Sequence, residues 1–461
     1  MTDATIKSIH ARRVWDSRGR PAVEAEVTLA DGSIGRGIAP AGASRGTREA
    51  IDLRDGGAKL GGLDVQRAVA NVNGDIARAL TGRDAHDQAA LDRALIDLDG
   101  TPNKARLGGN ATIAVSLAVL HSSAASAGQP LWERVSEGWP VTMPLPEIQI
   151  FGGGAHAGRR VDIQDFMVMP LGAKTFAEAL EMTAEVYLAA GALMKAAGKL
   201  AGVADEGGWW PLFDANDEAL VMLTRAIEQA GFKHHEMAIS LDIAASEFGS
   251  AASGNDGLGV GGSSSRSGNS SGGNGNAGRY TLGLDQRVLD TAGMIDMLGQ
   301  WLDAYPIVSI EDPLAEDDEA GLIEFTRRYG ARCQIIGDDY LVTSAARVEH
   351  AAGIKAVNSA LIKLNQAGTV TETKAALDAA KRCGMSTLVS ARSGETEDVS
   401  ITHLAIGWNA GQLKVGSFAR SERMAKWNEA IRIEELTRAP LQIPPLLALA
   451  LRAISAQPHQ E

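Results

Sequence analysis

The chain has 461 residues, of which 45% are hydrophobic and 22% are charged, and its formal net charge is −13. This composition is typical of a globular protein with one or two domains, and the acidic charge argues against a nucleic-acid partner, because binding phosphates needs a basic surface. The N-terminal segment lacks the apolar core of a signal peptide, the apolar stretch PPLLALALRAIS is too short to span a membrane, and two cysteines make no disulfide framework. We therefore expect a cytoplasmic protein with no membrane partner.

Residues 1–140 predict an α+β domain. Apolar and polar residues alternate over 23–29, and Asp31-Gly32 supplies a hairpin turn, so the first 40 residues predict a three-stranded meander. The stretches LDVQRAVANVNGDIARAL and NATIAVSLAVLHSSAASAG repeat apolar residues at helical spacing. The meander and these helices together form the predicted N-terminal domain.

Residues 141–440 have a different rhythm, in which short apolar runs end in a polar residue and helical segments separate the runs. Spacings of 27, 25, 29 and 22 residues separate Glu311, Asp338, Lys363, Arg392 and Lys414. A (β/α)₈ barrel uses about 30 residues per strand–helix unit, and its active site lies at the carboxyl ends of the strands. We therefore expect these polar residues to meet at one face of a barrel.

Two segments do not fit this rhythm. The step from Asp242 to Glu311 is too long, because the Gly/Ser-rich stretch 249–278 intervenes. Such a sequence cannot bury a core, which predicts a disordered insertion. Residues 441–461 form a C-terminal tail whose pattern assigns it no role.

The strand ends carry an unusual set of charges. Asp242, Glu311 and Asp338 supply three oxygen ligands of the kind that Mg²⁺ prefers, although a single acid at such a position often caps the next helix. Lys363 and Lys414 lie within apolar runs, where a charge is costly unless it is paired. Each is either a general base, with a pKa lowered by nearby cations, or the partner of an acid in the same site.

Two further motifs carry polar groups suited to chemistry. The stretch ADEGGWWP places Glu206 before two glycines, and SARSGETED places Arg392 and Ser393 where they suit a phosphate or carboxylate. Metal carboxylates, a buried lysine and an opposing acid together indicate proton abstraction next to a carboxylate, with the resulting enolate stabilised by metal.

The chain resembles enolase, the phosphopyruvate hydratase family, over nearly its whole length. The matching stretches include DSRGRPAVEAEV, LDGTPNKARLGGNATIAVSLA, SLDIAASEF, SIEDPL, LIKLNQAGT, RSGETED and GQLKVGS. The resemblance implies a lyase that converts 2-phosphoglycerate to phosphoenolpyruvate and water. It also implies an N-terminal α+β domain before a modified (β/α)₈ barrel, Mg²⁺ as cofactor, a small phosphorylated anionic substrate and a homodimer.

The resemblance also implies roles for single residues. Lys363 matches the base that removes the α-proton, Glu206 the acid that assists loss of hydroxide, and Asp165 the partner of Glu206. The first Mg²⁺ would lie on Asp242, Glu311 and Asp338, and Ser44 in a mobile loop would help to hold a second. The substrate-binding positions implied are His156, Gln164, Arg392, Ser393 and Lys414.

Several positions depart from the family pattern. Enolases carry a longer glutamate where this chain has Asp165, and a histidine where it has Ala391. Arg45, Arg159 and Arg160 add positive charge to elements expected around the mouth of the site. Three alternatives therefore stay open, namely the same chemistry on a larger or more anionic substrate, an enolase-like binding protein with weak catalysis, and, least favoured, a racemase or cycloisomerase of the wider superfamily.

Overall fold

The first structural unit is a three-stranded antiparallel sheet covered by helices. The computed structural model describes residues 3–251 and 278–455, with side chains to residue 452. Neighbouring strands pair in chain order, so the predicted meander is confirmed. Its strands are β1 (Ile6–Trp15), β2 (Pro21–Leu29) and β3 (Ile34–Ile38). The helices of this unit are α1 (Gln66–Asn71), α2 (Ala77–Leu80), α3 (Gln88–Asp99), α4 (Gly109–Ser126) and α5 (Leu131–Ser136), and one wider turn over Val72–Ile76 joins α1 to α2.

Helix α4 is the centre of this unit and is buried along almost its entire length. It approaches the sheet so closely that a Cβ atom on Gly35 or Gly37 of β3 would overlap the backbone of α4. The two glycines in the strand are thus explained by close helix packing.

The second unit is a closed barrel. Eight strands follow one another around it in the order β4, β5, β8, β12, β13, β14, β15 and β16, and β16 pairs with β4 to close the ring. The strands after β3 are β4 (Met143–Gly152), β5 (Asp165–Met169), β6 (Leu200–Val203), β7 (Trp209–Pro211), β8 (Ala238–Asp242), β9 (Gly249–Ser250), β10 (Arg279–Leu282), β11 (Arg287–Asp290), β12 (Ile307–Glu311), β13 (Gln334–Gly337), β14 (Ser359–Ile362), β15 (Ser386–Ser390), β16 (Gly411–Gly416) and β17 (Leu441–Gln442).

Strand β5 is the modification in this barrel. It runs antiparallel to both of its neighbours, β4 and β8, whereas the other neighbouring barrel strands are parallel. The first residue of β5, Asp165, therefore lies beside the last residues of its neighbours, Gly152 and Asp242. The predicted modified (β/α)₈ barrel is confirmed.

Helices cover the outside of the barrel. Several begin at a side-chain cap: Thr175, Asp290 and Asp318 each accept a hydrogen bond from a backbone N–H of the first turn. The helices are α6 (Phe176–Ala196), α7 (Asn216–Gln229), α8 (Thr291–Ala304), α9 (Glu319–Tyr329), α10 (Ala345–Ile354), α11 (Leu364–Ala367), α12 (Val370–Arg382), α13 (Ser400–Gly407), α14 (Ser421–Thr437) and α15 (Pro445–Ser455). In the described part of the chain, no helix combines the length and apolar character needed to cross a bilayer.

The predicted segment boundaries can be compared with the secondary structure. Residue 140 lies in the connection between α5 and β4. This position does not test the domain boundary, which stays a prediction. Within the predicted insertion 249–278, the first two residues form β9, which pairs with β10. Residues 252–277 of that stretch lie outside the described residues.

The C-terminal tail closes the amino-terminal end of the barrel, which the sequence pattern did not indicate. Strand β17 pairs with the start of β4. Leu447 and Ala450 of α15 are fully buried among Leu145, Met169, Leu171, Ala238 and Val308, which lie at the barrel end opposite the predicted site. Helix α15 therefore covers apolar side chains at this end of the barrel.

We predict that Leu447→Ala lowers the free energy of unfolding by about 2–4 kcal/mol, because it removes buried apolar contacts and leaves a cavity. Leu449 of the same helix is 52% exposed. The matched variant Leu449→Ala should change the free energy by less than about 0.5 kcal/mol. Chemical denaturation of both variants checks this, and equal effects would show that α15 does not pack against the barrel.

Candidate active site

The predicted site residues meet at the carboxyl ends of the barrel strands. One pocket is lined by ten of them, while Glu311 and Asp338 are bound to the pocket's two lysines. The ten are Ser44, His156, Gln164, Asp165, Glu206, Asp242, Lys363, Arg392, Ser393 and Lys414. The expectation that strand-end residues distant in sequence converge at one face is thus met in the structure.

Lys414 lies at the centre of this charge cluster. Its Nζ is 2.9 Å from Oδ2 of Asp242, 2.8 Å from Oε2 of Glu311 and 3.5 Å from Oδ2 of Asp165, and all four side chains are buried. Burial alone would lower the pKa of Lys414, but the surrounding carboxylates outweigh it and raise the pKa well above its usual range. The ammonium group is therefore a permanent cation between two predicted metal ligands.

Lys363 is bound in the same way by the third predicted ligand. Its Nζ donates to Oδ2 of Asp338, whose other oxygen accepts from Nε2 of Gln366 at 2.7 Å. Burial lowers the pKa of Lys363, but Asp338 more than offsets this, so the pKa is raised. In the protein without bound ions, Lys363 thus shows the second of the two alternatives, an ion pair with a strand-end acid.

Two further acids that the sequence analysis missed lie beside Asp338. Oxygen atoms of Asp312, Asp338 and Asp339 lie within 4.8 Å of one another in a buried group. Both oxygens of Asp312 accept backbone N–H groups, from Asp338 at 2.9 Å and from Asp339 at 2.8 Å. Burial, followed by the neighbouring carboxylates, raises the pKa of both Asp312 and Asp339 well above the usual range. The stretches SIED and GDD each contain two adjacent acids, of which the sequence analysis assigned only Glu311 and Asp338 to the site.

Opposite the lysines, His156 lies between two acids. Its Nε2 is 3.7 Å from Oδ1 of Asp165 and 3.7 Å from Oε1 of Glu206. Burial raises the pKa of Asp165 to about 6 despite His156 and Lys414 nearby. Burial also raises the pKa of Glu206, but the cations, with His156 first, outweigh it and lower the pKa to about 2. The pKa values of the two acids thus lie apart, and Asp165 binds a proton more tightly than Glu206 does.

Glu147 is another buried acid that the sequence analysis missed. It is in register with Lys414 on the neighbouring strand, and Ser240 donates a hydrogen bond to its Oε1. Burial raises its pKa to about 7, partly offset by Lys414. The signal was a glutamate inside the apolar run PLPEIQIF.

Arg392, the predicted phosphate ligand, is bound by an acid from the N-terminal unit. Its Nη1 is 3.0 Å from Oε2 of Glu49 and its Nη2 is 3.2 Å from Oε1, and the carbonyl oxygen of Ser44 accepts from Nη2 at 2.9 Å. The backbone N–H of Ala43 donates to Oγ of Ser393 at 3.3 Å. The loop that carries Ser44 therefore lies directly on the predicted phosphate position.

The three extra arginines do not supply free positive charge to the pocket. Among the described residues that line it, none is one of these arginines, whereas Ala391 is present. Each arginine forms an ion pair with an acid of this chain: Arg45 with Asp52, Arg159 with Glu247 and Arg160 with Asp214. These pairs weaken the argument for a more anionic substrate.

Comparison with known proteins agrees with this geometry. The family model described as "Enolase, N-terminal domain" matches residues 6–135, and that described as "Enolase, C-terminal TIM barrel domain" matches residues 140–440. The chain is 45% identical over 441 residues to Enolase 1 of Desulfitobacterium hafniense (strain Y51), a match that covers 95% of each chain. The chain belongs to the enolase family. As an enolase it is a carbon–oxygen lyase of the phosphopyruvate hydratase type.

The raised pKa of Asp165 predicts a pH-dependent cost in stability for this enolase. A carboxyl whose pKa rises on folding destabilises the folded state above its unfolded pKa, and the cost disappears as the pH falls through the folded value of about 6 toward about 4. Asp165→Asn should therefore stabilise the metal-free protein by about 2–3 kcal/mol near pH 8 and by progressively less between pH 6 and pH 4.

Urea denaturation across this pH range measures the effect. The control Asp97→Asn replaces an acid whose side chain is 59% exposed, and it should change stability by less than about 0.5 kcal/mol. A destabilised Asp165→Asn variant near pH 8 would contradict the pKa that the geometry gives.

Proposed function

We propose that this enolase dehydrates 2-phosphoglycerate to phosphoenolpyruvate in a Mg²⁺-dependent reaction, with Lys363 as base and Glu206 as acid. The observation that carries this is the placement of the two groups. Both line one buried pocket, Lys363 beside the predicted metal carboxylates and Glu206 in the His156–Asp165 group. Such an arrangement suits removal of a proton and of a hydroxyl from one small substrate.

The side chains present fit a hard divalent cation. Asp242, Glu311 and Asp338 offer buried carboxylate oxygens, and the two lysines show that the field there favours positive charge. Oε1 of Glu311 is buried and has no hydrogen-bond partner within the part of the chain that the structure describes. Mg²⁺ held by these three carboxylates would supply Lewis-acid stabilisation of the charge that develops on the substrate carboxylate.

Lys363 must be neutral to accept a proton. Its ion pair with Asp338 raises its pKa, so it acts as a base only when the charge of Asp338 is balanced by something else. Arg392 and Lys414 already oppose protonation of Lys363. The deprotonated amine would then take the α-proton of the substrate.

The remaining side chains bind and orient the substrate in this proposal. Lys414 contacts the carboxylate end, Arg392 and Ser393 the phosphate, and His156 and Gln164 contribute from the opposite side. Since Arg392 is paired with Glu49, phosphate binding requires Arg392 to exchange that partner or share it. Ser44, in the loop that contacts Arg392, would help to hold a second Mg²⁺ in this proposal.

The other functions are less well supported. The paired arginines weaken the argument for a more anionic substrate, whereas Ala391, on which the argument for a larger substrate depends, lines the pocket. A binding protein would have no use for the buried lysines and acids of the pocket, which are paired with one another at a cost in desolvation. The homodimer and the cytoplasmic location stay predictions.

Two variants separate the base from the acid. Lys363→Ala should lower kcat by about 10²–10⁴-fold and abolish exchange of the α-proton of 2-phosphoglycerate with solvent deuterium, because nothing else removes that proton. Glu206→Gln should lower kcat by a similar factor but retain exchange, since proton removal precedes loss of hydroxide. Ultraviolet absorbance of phosphoenolpyruvate and proton NMR of the substrate measure the two effects.

A matched lysine controls for loss of charge alone. Lys374 forms an ion pair with Asp378 on helix α12, outside the pocket, so Lys374→Ala should leave turnover and exchange unchanged. Exchange that persists in Lys363→Ala would assign the base to another residue. Loss of exchange in Glu206→Gln would exclude the separate acid role.

A further inference from the structure

Gln149 connects the two acids of the pocket. It lies on β4, is 1% exposed, and its Oε1 accepts the backbone N–H of Gly208 at 2.9 Å. Its Nε2 donates to Oδ1 of Asp165. Because a backbone N–H can only donate, the amide oxygen must face Gly208, and the amide nitrogen must then face Asp165. The orientation of this side chain is therefore determined by its partners.

Gly208 belongs to the tight turn that carries Glu206. The N–H of Ala204 donates to the carbonyl of Gly208 at 2.8 Å, and the N–H of Gly207 donates to the carbonyl of Ala204 at 3.0 Å. The hydroxyl of Tyr187 fixes the same turn by donating to the carbonyl of Gly207 at 2.9 Å. A Cβ on Gly208 would overlap Oε1 of Gln149, so the two are in close contact. Gln149 thus ties Asp165 to the segment that positions Glu206.

The length of Asp165 gives this link its importance. The backbone of Asp165 is held by its register with Gly152 and Asp242 on the two neighbouring strands, so the length of the side chain limits how far the carboxylate reaches. An aspartate reaches one methylene less far than the glutamate expected there. The glutamine that meets it reaches one methylene farther than an asparagine would. Moving one methylene from Gln149 to Asp165 leaves the total length of the pair unchanged.

We propose that Gln149 is a positioning residue that sets the Asp165 carboxylate relative to Glu206, its length compensating for the short side chain of Asp165. This inference rests on the proposed function, in which Asp165 and Glu206 act as a pair. A misplacement of about 1 Å costs on the order of 10²-fold in rate. The compensation explains how an enolase operates with an aspartate at this position.

A methylene exchange tests the proposal. Gln149→Asn and Asp165→Glu should each lower kcat about 10²-fold, since one leaves the pair too short and the other too long. The double variant should recover to within about tenfold of the parent, and KM for 2-phosphoglycerate should change much less than kcat. Single variants with parental kcat, or a double variant whose loss is the product of the two single losses, would overturn the proposal.

A second glutamine controls for general effects of shortening a buried amide. Gln412 is fully buried in the same barrel, where it exchanges hydrogen bonds with Gln334 rather than with Asp165. Gln412→Asn combined with Asp165→Glu should give no recovery. Recovery there would show that the rescue is not specific to Gln149. If Gln149→Asn alone fails to fold, the exchange variant still decides, because it must restore both the melting transition and turnover.

Two further variants separate failure of this inference from failure of the proposed function. Asp165→Asn and Glu206→Gln remove one carboxylate each. If both keep parental turnover, the acid pair is not used and the proposed function fails, together with the inference that rests on it. If both lose turnover while Gln149→Asn keeps it, the acid pair stands and only the positioning role is overturned.

Discussion

The ion pairs between two buried lysines and three carboxylates are the constraint on which the rest of this structure depends. A charge taken out of water costs several kcal/mol unless it is paired, and removing one partner of a buried pair costs about 3–5 kcal/mol. Lys414 therefore lies between Asp242 and Glu311, and Lys363 lies against Asp338. The barrel closes through β16 and β4, and this closure brings Lys414 beside acids from distant parts of the chain. A field that holds two ammonium groups is also the field that a divalent cation needs.

Other parts of the molecule position or balance the charges of this cluster. The antiparallel β5 places Asp165 at the same edge as Asp242, which parallel strands alone would not do. Glu49 from the N-terminal unit balances Arg392 and ties that unit to the barrel. At the opposite end, α15 covers apolar side chains and keeps water from the core below the charges. The stability of the fold and the proposed chemistry thus both depend on the pairing of the same buried charges.

Much of the barrel could be predicted from the sequence, because an apolar run followed by a polar residue repeats along the chain. Regular spacing of polar residues after apolar runs predicted the barrel and the polar residues at the carboxyl ends of its strands. The partners of those residues could not be predicted, since contacts such as Glu49 with Arg392 join segments that no local pattern relates. For the same reason the sequence left open whether Lys363 is paired with an acid. The role of α15 was missed because an apolar helix does not show which surface it covers.

The most direct test is a crystal structure of the enolase with Mn²⁺ in place of Mg²⁺, in which anomalous scattering locates the metal. The account predicts a peak among the carboxylates of Asp242, Glu311 and Asp338, with the Lys414 ammonium displaced from Asp242 and Glu311. A peak confined to the Asp312, Asp338 and Asp339 group, or Lys414 still bound to both acids, would contradict it.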